Sequence, residues 1–157
     1  MTDEELFDLI TAVQRFQSEW NDLEVKAAQR GTPQRLYESL SAFANRTDGG
    51  VILLGLDESR AFEVIGVGDA HRIMEDVSSL AAENMEPALR PEFTLVEIQG
   101  KSVLAIEIFE VAPEQKPCFY KTAGLQSGSY IEEAVREAVV NAIAHRDYSS
   151  YVRGSYI

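Results

Sequence analysis

Leu6, Phe7, Ile10, Val13 and Phe16 recur at helical spacing behind Thr2, which predicts an amphipathic helix over residues 3–18. The short "LEVKA" run after it reads as mildly extended. Thr32 followed by Pro33 predicts a second helix start, with Leu36, Leu40, Phe43 and Ala44 as the buried stripe. Asp48-Gly49-Gly50 breaks that helix, and "VILLGL" follows with apolar side chains on both faces, as in a central covered strand. "FEVIGV" predicts a hairpin partner for it across Asp57–Ala61. Asp69 caps a third helix carrying Ile73, Val77, Leu80 and Ala81, ended by Pro87 and Pro91. "FTLVEIQ" and "SVLAIEIFEV" form a hairpin around Gln99-Gly100-Lys101, with the second strand largely buried. "PCFYK" and "GSYI" read as shorter strands, and "EEAVREAVVNAIAHRDY" as a closing helix. The pattern predicts an α+β fold, a mixed β-sheet with packed helices, over residues 1–131, and a separate helical segment over 132–157.

Composition narrows the function. At 157 residues and 45% apolar content, the chain supports one domain with a real core and contains no run long enough to span a bilayer. Its acidic start, MTDEELFDL, lacks the basic opening of a secretory signal, and one cysteine, Cys118, excludes an internal disulfide. These features predict a cytoplasmic protein without a membrane partner. A net charge of −12 argues against a polyanion-binding surface everywhere, but not against a local groove. Lys26, Arg30, Arg35 and Arg46, with Lys116 and Lys121, are the basic candidates; scattered solubilising charges are the plainer reading.

Two acidic stretches could carry chemistry. On a strand, Glu24 and Lys26 project from one face, and Glu19 joins them only if the chain bends at Asn21-Asp22. An acid followed by Glu-x-Lys suits a divalent cation beside an ammonium; a surface Glu–Lys pair at a strand edge is the plainer reading of so short a motif. Asp57 and Glu58 sit at the carboxyl end of "VILLGL", where open sheets place ligand sites, and also where hairpin turns are commonly solvated.

"LEVKAA", then "SAFANRTDGGVILLGLDE", then "VIGV" resembles the Schlafen AlbA-type domain assigned to DNA binding, over about Glu19 to Ile131. Matching positions are Glu24 and Lys26, Ala42 to Asn45, Gly49, Gly50, Gly55, Asp57 and Gly66; Val25, Arg46 and Glu58 depart from the pattern. The resemblance implies nucleic-acid contact, to DNA or RNA, through Lys26, Arg30, Arg35, Asn45, Arg46, Gly49 and Gly50. In vertebrate relatives, positions matching Glu19, Glu24 and the Asp57–Glu58 pair form a metal-dependent RNase site. The resemblance therefore implies Glu19, Glu24 and Asp57 as ligands of Mg or Mn, with Lys26 and Glu58 as further catalytic candidates. Bacterial members resemble the first module of transcriptional regulators, so the expectation is a nucleic-acid-binding module, with a nuclease or a non-catalytic dimerisation domain as alternatives. "REAVVNAIAHRDY" resembles the first helix of a GHKL-type ATPase, with Glu137 and Asn141 at its Glu-x-x-x-Asn box. No phosphate-binding boxes accompany it, so ATP hydrolysis is not expected. Its apolar stripe (Val135, Ala138, Val139, Ala142, Ile143) predicts docking on the sheet or a homodimer.

Overall fold

The first helix, α1 (Asp3–Phe16), starts where the sequence demands it. Thr2 Oγ1 accepts the Glu5 N–H at 3.2 Å, and the Glu5 carboxylate accepts the Thr2 N–H at 2.7 Å. These bonds hold the Glu5 carboxyl below its ordinary range. Gln17, in the left-handed region, ends the helix. In the computed structural model residues 1–121 are described, and they form one unit. The predicted "GSYI" strand, the closing helix with Glu137 and Asn141, and its docking or dimer face lie outside the described residues.

A four-stranded mixed sheet organises the domain, in the order β1 (Leu23–Lys26), β2 (Gly50–Leu54), β7 (Lys101–Ile108), β6 (Glu92–Ile98). β1 runs parallel to β2, with Lys26 beside Leu54, and the other pairings are antiparallel. β6 and β7 meet as the expected hairpin, because Gln99 and Gly100 both take positive φ in a two-residue turn.

Each face of the sheet buries its own core. Ile52, Leu54, Leu104 and Ile106 pack beneath α2 (Leu36–Ala44) and α3 (Ala70–Ser79), while Leu23, Val25, Leu53, Val103 and Ala105 pack against α1. α3 continues into a wide helical turn, Leu80–Asn84. A further two-stranded ladder joins β5 (Met85–Glu86) to β8 (Phe119–Tyr120), within the expected "PCFYK" strand.

Two expectations need correction. The second helix begins at Leu36, not at Thr32–Pro33: Arg35 takes a left-handed φ of 59°, and the Thr32 hydroxyl donates to Asp76 Oδ2 of α3 at 2.6 Å. "VILLGL" does not pair with "FEVIGV" as one hairpin. Gly55, at φ +108°, breaks the strand, so β2 pairs with β1 and β7. Only the short β3 (Leu56–Asp57) meets β4 (Glu63–Val64). The break also resets the alternation: Leu53 and Leu56 both enter the α1-side core, whereas Leu54 faces α2 and α3.

Candidate nucleic-acid interface

The parallel β1–β2 pair gives the sheet two chemically different ends. At the end where both strands begin lie Asn21, Asp22 and the Arg46–Gly50 turn, since the Val51 N–H donates to Asp22 O and Arg46 Nη1 donates to Asn21 O. At the end where both finish, the Gly55 N–H donates to Lys26 O and the Gly68 N–H to Ala28 O. Four residues of β1 separate the ends by about 13 Å. The basic candidates therefore do not form one groove: Arg46 is at the starting end, and Lys26 and Arg30 are at the finishing end.

The acidic candidates are placed singly. Glu19 Oε1 accepts the Val25 N–H at 2.5 Å. Glu24 Oε1 holds Lys26 Nζ at 2.5 Å on the strand face, with both side chains roughly a third exposed. Asp57 turns inward on its own loop: Oδ1 accepts the Ser59 N–H at 3.0 Å and the Ser59 hydroxyl at 2.6 Å, and Oδ2 lies 3.4 Å from Arg60 Nε. Glu58 is exposed at the start of the following 3-10 turn. Among the described residues no three His, Cys, Asp or Glu side chains gather as a metal site. The expected Glu19–Glu24–Asp57 pocket is thus not assembled. Each of the three carboxylates instead meets a protein donor of its own.

The Asn45–Gly50 block is committed to the fold. Asn45 Nδ2 donates to Ser41 O and to Cys118 O, each at 2.8 Å, while its Oδ1 accepts the Cys118 N–H at 2.7 Å. This side chain grips the backbone of the segment leading into β8, where Cys118 is only 1% exposed. Burial, and then the nearby Glu86, push the Cys118 thiol up to about 11. Gly49, at φ +70°, lies so close to β7 that a Cβ there would stand 2.0 Å from Ile108 O. A Cβ on Gly50 would meet the Phe43 ring at 2.3 Å.

The finishing end holds a cleft of about 560 Å³ between the Gln29–Thr32 loop and the start of α3. Arg30 and Arg72 line it, both exposed, and neither makes an ion pair among the described residues. Two carboxylates share the cleft but are engaged: Asp69 caps α3 through the Arg72 N–H at 3.0 Å, and Asp76 accepts from Thr32. Arg35 follows on the same loop, exposed and paired with Glu38, which keeps its guanidinium charge firmly held.

The family model described as Schlafen, AlbA_2 matches residues 19–137. The chain belongs to the Schlafen AlbA_2 family. The solution structure of the N-terminal domain of a RecG-related protein from Nitrosomonas europaea is 29% identical, with a TM-score of 0.63. That alignment covers 78% of this chain and 84% of the other, and the α+β sheet is common to both. The DIP2311 protein from Corynebacterium diphtheriae aligns at 18% identity and a TM-score of 0.47, over 73% of this chain and 23% of that one. No curated protein is a significant match.

For this Schlafen AlbA_2 domain, the "AFAN" and Gly-Gly positions that make the sequence recognisable serve packing and chain crossing. Arg72 was not among the residues marked by the sequence, because one exposed arginine on a helix has no distinguishing pattern. Its signal is spatial, as the neighbour of Arg30 across the cleft. No helix among the described residues is long and apolar enough to cross a membrane.

Proposed function

We propose that this domain is the nucleic-acid-binding module of a bacterial transcriptional regulator acting in the cytoplasm, and that it grips the phosphate backbone at the end of the sheet where β1 and β2 finish. The observation that carries the reading is the pair Arg30 and Arg72, both exposed across one cleft and in no ion pair among the described residues, although Asp69 and Asp76 share the cleft and offset part of its positive charge. Arg35 extends that surface, and Lys26, held by Glu24, contributes less. Family membership and the likeness to a RecG-related protein support nucleic acid as the partner. Guanidinium groups suit phosphate because they donate bidentate hydrogen bonds and stay charged. The net charge of −12 repels a polyanion from most of the surface, so affinity is low and strongly salt-dependent.

The test is a titration of labelled single-stranded and duplex DNA and RNA at low salt, where counterion release most favours binding. With about three phosphate contacts, the logarithm of affinity should fall with the logarithm of salt at a slope near −3 for duplex. No binding of any of the four at low salt would end this reading.

A further inference from the structure

The opposite end of the sheet bears a groove that the nucleic-acid reading does not use. It lies between α1 and the start of β1 and β2, encloses about 690 Å³, and has a floor that includes Leu9 and Val51. Trp20 forms a wall and is 38% exposed, with Phe16 edge-on to it at 6.3 Å. Three carboxylates, Glu5, Asp22 and Glu107, line the same groove. One cation is already seated there: the Met1 ammonium lies 2.5 Å from Glu107 Oε2, which raises the pKa of the amine. Glu5 is occupied by the Thr2 N–H, whereas Asp22 makes no ion pair among the described residues.

We propose that this groove docks a basic, extended peptide segment of a partner protein. Lys and Arg side chains are the group that fits it. Their aliphatic stems can lie on Leu9, Val51 and the Trp20 ring while their charged ends reach Asp22 and the neighbouring carboxylates. Charge complementarity selects this occupant over the others. Phosphates would face three carboxylates, and a second copy would bring another chain of net charge −12 to an acidic rim. The long-range field of the chain also draws a cationic segment toward it.

Trp20 is the only tryptophan, so its emission reports the groove directly. The probe is a short synthetic peptide alternating Arg and Leu, compared with its Glu-and-Leu counterpart, at low and high salt. The basic peptide should shift Trp20 emission saturably, and the acidic one should not. Asp22→Lys should weaken the basic peptide at least about tenfold and Asp22→Asn by less, while circular dichroism shows both variants folded. Arg30→Glu/Arg72→Glu should not weaken the basic peptide, and at high salt, where the long-range field is screened, should leave its affinity unchanged, which separates this site from the nucleic-acid face. Equal binding of both peptides, full affinity in Asp22→Lys, or no emission change would overturn the proposal. So would a stable dimer, seen by sedimentation, that buries Trp20 without peptide.

Discussion

Replacing Asn45 by Ala separates a structural role for this residue from a ligand-binding one. The substitution removes the acceptor for the Cys118 N–H and the donors to Ser41 O and Cys118 O. Cys118 O keeps a partner in the Ser41 hydroxyl at 2.7 Å, so the main loss is one buried N–H left without an acceptor. An orphaned buried donor costs about 1–3 kcal/mol, and the other lost bonds bring the total to roughly 2–4 kcal/mol. For a domain of this size that is a drop in Tm of roughly 10 °C. Urea unfolding followed by circular dichroism should show a lower midpoint with an unchanged slope. Asn45→Asp should also destabilise, since it retains the acceptor for Cys118 but sets an oxygen against two carbonyls. Under the same conditions the folded fraction should bind oligonucleotide as tightly as the unaltered protein. A stability loss below about 0.5 kcal/mol, with binding abolished, would refute the reasoning.

Gly49→Ala should cost about 3 kcal/mol or more, because both its positive φ and the Ile108 carbonyl oppose a side chain, and urea midpoints will measure it. Gly50→Ala should be partly rescued by Phe43→Leu, since its obstacle is a ring that can be replaced; absence of rescue would contradict the packing described. Cys118 should react with iodoacetamide at about pH 8 roughly a hundredfold more slowly in the folded chain than in urea, because a thiol near 11 is far less ionised than one near 9. The reaction should accelerate as pH rises toward the folded value, in parallel with loss of stability between the two values. Millimolar Mn²⁺ or Mg²⁺ should leave the thermal midpoint unmoved, as Glu19, Glu24 and Asp57 each have separate partners; a rise abolished by Glu24→Gln would reinstate a metal pocket.

Much of the scaffold was legible because it is local. The Thr2–Glu5 box, the stripe through Leu6, Ile10 and Val13, and the Gln99–Gly100 turn each act within a few residues. The two misplaced elements had different causes, one a distant partner and one a glycine within the run itself. Thr32 has the look of a helix cap, but its hydroxyl belongs to Asp76, forty-four residues on. "FEVIGV" has strand character, but Gly55 diverts the chain before β2 can pair with it. The site was legible in composition and not in arrangement. Periodicity puts Glu24 and Lys26 on one strand face, and there they neutralise each other. The block Asn45 to Gly50 signals a constrained turn, yet only the fold shows that the constraint comes from Cys118, Ile108 and Phe43. The Arg30–Arg72 pairing spans two elements and leaves no sequence trace.

The account's central claim is that nucleic acid is gripped where β1 and β2 finish, not at the glycine turn where they start. The direct measurement is fluorescence anisotropy of a labelled oligonucleotide at low salt, comparing the unaltered chain with Arg30→Glu/Arg72→Glu and with Arg46→Glu. Charge reversal at Arg30 and Arg72 should abolish binding while the fold, followed by circular dichroism, persists, and Arg46→Glu should change affinity by no more than about threefold. Loss of binding in Arg46→Glu with full binding in Arg30→Glu/Arg72→Glu would contradict the claim and move the interface to the glycine turn.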